Sequence, residues 1–194
     1  MSPTDPRVLD DIVKAYDVRG TVPDQINTDV AYALGVGFAR FCQAPRVLVA
    51  RDMRPSGPEL VDAFSRGVME HGSDVVDLGL ASTDLMYYAA GTLDAPGAMF
   101  TASHNPAGYN GVKFCLSGAR PVGVDTGLDE VKRVAGDVLE GHGPLPAATA
   151  GSQTSRNLLE AFADHVVSFV DVASLRALRV VADTMLGKDV ERDA

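Results

Sequence analysis

No apolar run in this 194-residue chain approaches the ~20 residues that a membrane-crossing helix requires, so no segment reads as a membrane span. Its start, MSPTDPRVLDD, is acidic and lacks the basic-then-apolar order of a secretory signal. A cytoplasmic address with no membrane partner is expected. Cysteine is scarce: Cys42 and Cys115 stand far apart inside apolar segments and are expected as buried free thiols. The four histidines show neither an HxxxH spacing nor a His/Cys pairing, which argues against a zinc site. Positive charge is in short supply, with 17 basic residues against 26 acidic and a net charge of −9. A broad nucleic-acid surface is therefore not expected. A small anion is a different matter, because a few Arg, Lys and backbone N–H groups can bind phosphate within an acidic protein. What remains, 46% hydrophobic residues at a mean hydropathy of +0.05, describes an ordinary globular chain.

Helix and strand signals alternate along it. Residues 28–41 place Val30, Ala33, Leu34, Gly37, Phe38 and Phe41 at helical spacing behind a cap at Asn27 or Thr28. RVLVA (46–50) is a β-branched run that predicts a buried strand. Ser56 followed by Glu59 reads as a capping box, opening a helix through Leu60, Ala63, Phe64, Gly67 and Val68 that ends at Gly72. DVVDL (74–78), GAMFTA (97–102) and VKFCL (112–116) are further strands, with a short helix behind Ser82 over 85–90. A helix over 128–139 turns Leu128, Val131, Val134, Ala135 and Val138 inward. The Asn110-Gly111 pair reads as a hairpin turn. The expected fold is α/β, a three-layer α/β/α arrangement with a mixed sheet.

GHGPLPAATAGS (141–152) has the composition of a linker. Beyond it, one helix (158–170) and one strand (178–181) are too little to bury a core. The expected organisation is a first domain over 1–140, a linker over 141–154, and over 155–194 the incomplete start of a second α/β domain. Leu158, Leu159, Phe162, Val166 and Phe169 would then form an exposed face able to promote self-association.

The chemistry is concentrated in TASHNPAGYNGVKF (101–114). Ser103 falls where a strand ends, so its hydroxyl can be presented at the rim of a sheet. Asn105-Pro106 breaks regular structure, and Gly108 and Gly111 permit close backbone approach. Successive N–H groups in such a turn can cradle an anion. Lys113 returns on the next strand and can supply charge or a proton. A plain turn between two strands would need only the Asn-Gly pair; Ser-His-Asn-Pro with a returning lysine points to function.

The TASHNP–GYNGVKF segment resembles the phosphoserine loop of the α-D-phosphohexomutases, the phosphomannomutase/phosphoglucomutase family. KAYDVRG (14–20) resembles that family's N-terminal signature, and RDMRPSG (51–57) is similar to a third stretch, with Ala50 and Gly57 where Gly and Ser are expected. The resemblance implies an isomerase that moves phosphate between the 1- and 6-positions of a hexose phosphate through phosphoserine and a bisphosphate intermediate. It implies Ser103 as phosphoryl carrier, Lys113 as charge or acid/base, and Arg19, Tyr16 and Asn105 lining the phosphate site. Arg51 and Arg54 are lesser candidates for its wall. His104 either assists near the phosphate or orients the loop. A hexose 1,6-bisphosphate is implied as activator, and Mg²⁺ as cofactor, held by the phosphate on Ser103 and an Asp-x-Asp-x-Asp loop of the second domain. That loop does not occur here. Asp189, Glu191 and Asp193 have its spacing without its glycines and read as a solvated charge run. Two further readings follow from this: a truncated mutase of little activity alone, or a non-catalytic sugar-phosphate-binding or regulatory domain. A serine hydrolase is disfavoured, since GxSxG is absent and His104 adjoins Ser103 in sequence.

Overall fold

Strand β2 (Arg46–Arg51) buries every side chain from Val47 to Ala50, and a strand buried on both faces requires cover on both sides of its sheet. The computed structural model, which describes residues 5–181, supplies that cover. Two units are distinguished, one running to Leu159 and the other beginning at Glu160. Before β2 come α1 (Val8–Ile12), β1 (Val18–Thr21) and α2 (Thr28–Cys42). After it follow α3 (Gly57–Glu70), β3 (Asp74–Leu80), α4 (Thr83–Thr92), β4 (Gly97–Phe100) and β5 (Tyr109–Leu116). The first unit closes with β6 (Arg120–Pro121), α5 (Leu128–Leu139) and β7 (Gln153–Ser155).

These strands form a seven-stranded sheet in the order β1-β5-β4-β2-β3-β7, with β6 beside β5. Strands β2, β3, β4 and β7 run parallel, while β5 is antiparallel to β1, β4 and β6. The mixed α/β sheet is the expected one. Along β2, Val47 and Val49 join the core under α2, α3 and α5. Leu48 faces the opposite way, where Met86 of α4 and Cys115 of β5 converge on the space beside Gly97. Phe38 of α2 stacks on Phe114 of β5 at 4.5 Å, and Phe64 of α3 meets Phe100 of β4 edge-on at 5.4 Å. Helices α2 and α3 touch backbone to backbone: a Cβ on Gly67 would lie 2.4 Å from Tyr32 O, and one on Gly35 2.2 Å from Phe64 O.

Local signals explain many boundaries. Asn27 caps α2 by accepting from the N–H groups of Asp29 and Val30, and Ser82 caps α4 by accepting from Leu85. Ser56 does not cap α3. It adopts helical dihedrals, and its Oγ instead accepts from Asn110 Nδ2 at 2.9 Å, so a long-range bond displaces the capping box. The Asn110-Gly111 pair is not a turn either. Both residues lie inside β5, paired with Gly20 and Arg19 of β1, and the chain reverses earlier, over 101–108.

The stretch read as a linker is stitched to this unit. Ala147 N donates to Glu70 O, Gly151 N to Met69 O, and Ser152 bonds to Asp74 through both N and Oγ. Then β7 extends the sheet beside β3. Helix α6 (Leu159–Val167), all but its first residue in the second unit, buries none of its residues, and 178–181 form no strand. Asp189, Glu191 and Asp193 lie outside the described residues. Both cysteines are free; Cys115 is buried and burial pushes its thiol up to about 11. Among the described residues no helix is long and apolar enough to cross a membrane.

Candidate active site

The sheet has a switch point at β2. From β2 the chain crosses by α3 to β3 on one side, then returns by α4 to β4 on the other. Loops at the carboxyl ends of strands flanking such a point form the usual ligand crevice of an open α/β sheet. Arg54 comes from the loop after β2 and Ser103 from the loop after β4.

Strand β4 is buried throughout and flanked by β5 and β2, which gives the loop a rigid base. Ser103 has a φ of 53°, a left-handed conformation that costs a side-chain-bearing residue about 1–2 kcal/mol. Its N–H donates to Thr101 Oγ1 at 2.8 Å and its carbonyl accepts from Arg54 Nη2 at 2.9 Å. The side chain is exposed, and Oγ lies 3.4 Å from His104 Nδ1. His104 therefore reaches the neighbouring hydroxyl despite adjoining it in sequence. No carboxylate pairs with His104 among the described residues.

The KAYDVRG turn and β1 approach from the other flank. Strand pairing sets Val18 opposite Val112, so Asp17 falls opposite Lys113 on the same face as Arg19. One oxygen, Asp17 Oδ2, accepts from Arg19 Nη2 at 2.6 Å and from Lys113 Nζ at 2.9 Å. Burial pushes the Asp17 carboxyl up, but the bonds from Lys113 and Arg19, with their charges, outweigh it and hold the group below its ordinary value. The second Arg19 amino group, Nη1, donates to Asn105 Oδ1 at 2.8 Å and so ties β1 to the Ser103 loop. A Cβ on Gly111 would lie 2.2 Å from Val18 O and 3.1 Å from Thr101 O; glycine lets β1, β5 and the root of the loop meet.

Of the residues singled out in sequence, Ser103, His104, Asn105, Arg19 and Lys113 thus gather around one loop. Lys113 does so through Asp17, without a direct bond to Ser103. Tyr16 stays outside this hydrogen-bond net, 80% exposed beside the backbone of Gly123. Arg51 makes no hydrogen bond or ion pair to the loop, whereas Arg54 is buried beneath it.

Residues 10–136 match the family model described as phosphoglucomutase/phosphomannomutase, α/β/α domain I. The chain belongs to this family. It is 35% identical over 173 residues to a phosphomannomutase of Escherichia coli, covering 88% of this chain and 38% of that protein. Against a Klebsiella pneumoniae phosphomannomutase it is 36% identical over 152 residues, covering 78% of this chain and 96% of the relative. A phosphoglucomutase/phosphomannomutase family protein of Burkholderia thailandensis superposes with a TM-score of 0.68 at 31% identity, over 81% of this chain and 35% of that one. The chain thus spans under two fifths of the length of the Escherichia coli phosphomannomutase.

Asp17 is a site residue that the sequence did not single out, and Arg54 does more than the wall role expected of it. Asp17 was visible inside KAYDVRG, but its link to Lys113 depends on β1, too short a strand to stand out. Arg54 was seen only as wall; its burial follows from a loop 49 residues away.

Proposed function

We propose that this domain carries the phosphoryl-accepting serine of a hexose-phosphate mutase, with Ser103 exchanging a phosphoryl group with a hexose bisphosphate. The observation that carries the reading is Ser103 itself: an exposed hydroxyl on a left-handed residue at the switch point, in a loop tied to Arg19 and flanked by His104. In the forward step Ser103 Oγ attacks phosphorus. The Oγ–P bond forms, the sugar O–P bond breaks, the serine proton passes to a base and a proton returns to the sugar oxygen. His104 with an unprotonated Nδ1 is placed to accept that proton. The reverse step returns the phosphoryl group to the other hydroxyl of the sugar.

Charge balance supports the reading. Arg19, Lys113 and Arg54 set three cations against the carboxylates of Asp17 and Asp52, leaving one net positive charge beside the loop. Phosphoserine brings about −1.5 to −2 charges. Phosphoryl transfer rests mostly on positioning and neutralisation; these groups position the loop and offset part of that charge. Mg²⁺ would take the Ser103 phosphate as a ligand. Among the described residues no group of three or more His, Cys, Asp or Glu can complete its shell, so no step here runs through the metal.

The test is intact-mass analysis after incubating the chain with glucose 1,6-bisphosphate and Mg²⁺. One phosphoryl group should appear, map to Ser103, and be absent from Ser103→Ala. Phosphate chiefly on another serine, or none at all, would sink the reading.

A further inference from the structure

Arg54 contributes more than its charge: it is only 8% exposed and fully engaged. Its Nη2 donates to Ser103 O at 2.9 Å and Asn105 O at 2.7 Å. Its Nη1 donates to Pro106 O at 2.7 Å and Tyr109 O at 2.8 Å. Nε donates to Asp52 Oδ2 at 3.2 Å. All five N–H groups of a guanidinium are thereby used.

We propose that Arg54 is the positioning residue of the Ser103 loop, its planar fork drawing four loop carbonyls inward and so fixing where the Ser103 hydroxyl stands. The proposal deepens the phosphoserine reading and rests on it. The loop needs such a support. Outside strand pairing, its own segment contributes few bonds: Ser103 N to Thr101 Oγ1, Asn105 N to Ala102 O, and Tyr109 N to Pro106 O. None of these fixes the Ser103 carbonyl, which a left-handed residue must turn away from its ordinary direction. Arg54 Nη2 does so. With carbonyls turned toward the cation, the N–H groups of His104, Ala107 and Gly108 have no acceptor among the described residues, and they can serve an anion. Asp52 completes the device. Its Oδ1 accepts from Arg54 N at 3.0 Å while Oδ2 accepts from Nε, so one carboxylate fixes both the backbone and the plane of the same arginine. A lysine would keep the charge but not the fork, since its three donors radiate from one nitrogen and cannot span four carbonyls.

The test uses the 194-residue chain. In ¹⁵N-edited spectra of the unaltered protein, the Arg54 Nη protons should give separate, slowly exchanging signals, unlike the averaged signals of exposed arginines. In Arg54→Lys, deuterium exchange at Ser103, Asn105 and Tyr109 should rise about tenfold while the β2 and β3 amides keep their protection. Phosphoryl transfer to Ser103 from glucose 1,6-bisphosphate should fall about 100-fold, the usual consequence of a misplaced reacting group. Asp52→Asn should show the same changes more weakly, and it decides the matter where Arg54→Lys does not fold. Unchanged exchange at the three loop amides, averaged Nη signals in the unaltered protein, or exchange raised evenly across the domain would each overturn the proposal. A chain that accepts no phosphate counts against the phosphoserine reading alone, and the exchange result still decides the role of Arg54.

Discussion

A single carboxylate oxygen cannot satisfy two cations without being held between them, and Asp17 Oδ2 is so held by Arg19 and Lys113. The three side chains are 12 to 27% exposed, so the interaction is only partly screened. Asp17→Asn should cost about 1–2 kcal/mol at neutral pH, the range for hydrogen bonds to a charged group discounted for that exposure. The pH dependence has a definite sign. The folded carboxyl titrates below its ordinary value, so its contribution is complete above the unfolded value of about 3.9. It is lost as pH falls through the lowered folded value. Urea unfolding of both proteins from pH 7 to pH 3 should show the stability gap closing below about pH 4. A gap that persisted unchanged to pH 3 would remove Asp17 from this role.

Strand β1 matters more than its four residues suggest, because it carries Arg19 to Asn105 and is admitted to β5 only through Gly111. Gly111→Ala would set a Cβ 2.2 Å from Val18 O, and backbone rather than a side-chain tip must then move. A loss of about 1–3 kcal/mol is expected, typical of overpacking, with the Arg19–Asn105 contact weakened. Gly108→Ala is the control: nothing lies within 4 Å of its Cβ position, so a change within about 0.5 kcal/mol is expected. Denaturant midpoints of the two variants check both. The same elements show what the sequence made legible. Helices α2 to α5 and strands β2 to β5 were readable because apolar period and nearby turn residues are local signals. Cooperation across distance was not. Asn110-Gly111 has turn composition, but pairing with β1 draws it into a strand and leaves the reversal to the Ser103 loop itself. Ser56 has a cap's sequence, but Asn110 claims its hydroxyl. The loop motif was legible from residues alone and Arg19 only through the family resemblance; Asp17 and Arg54 act through partners that only the assembled sheet brings near.

The organisation of the chain follows from where backbone hydrogen bonds are spent. The stretch 141–156 is rich in Gly, Pro and Ala, which reads as a connector, yet its amides are committed to the first unit. Ala147 and Gly151 donate to the end of α3, and Val75 donates to Ser152 O. Arg156 N donates to Asp77 O, just past β7. A protease must bind a stretch of chain in extended form, so cleavage within this stretch requires β7 to leave the sheet first. Farther on, Arg176 and Arg179 are exposed in a segment without helix or strand. Trypsin at low ratio should therefore cut at Arg176 and Arg179 well before Arg156, giving a stable product that retains β7. Mass spectrometry of the first fragments reads the order directly. Early cleavage at Arg156 would mean that β7 is only loosely paired, and the boundary would then move back to the 141–154 linker expected from composition. Arg156→Gln removes the cutting site without touching the backbone bond to Asp77, so it should leave the early fragments unchanged if β7 holds.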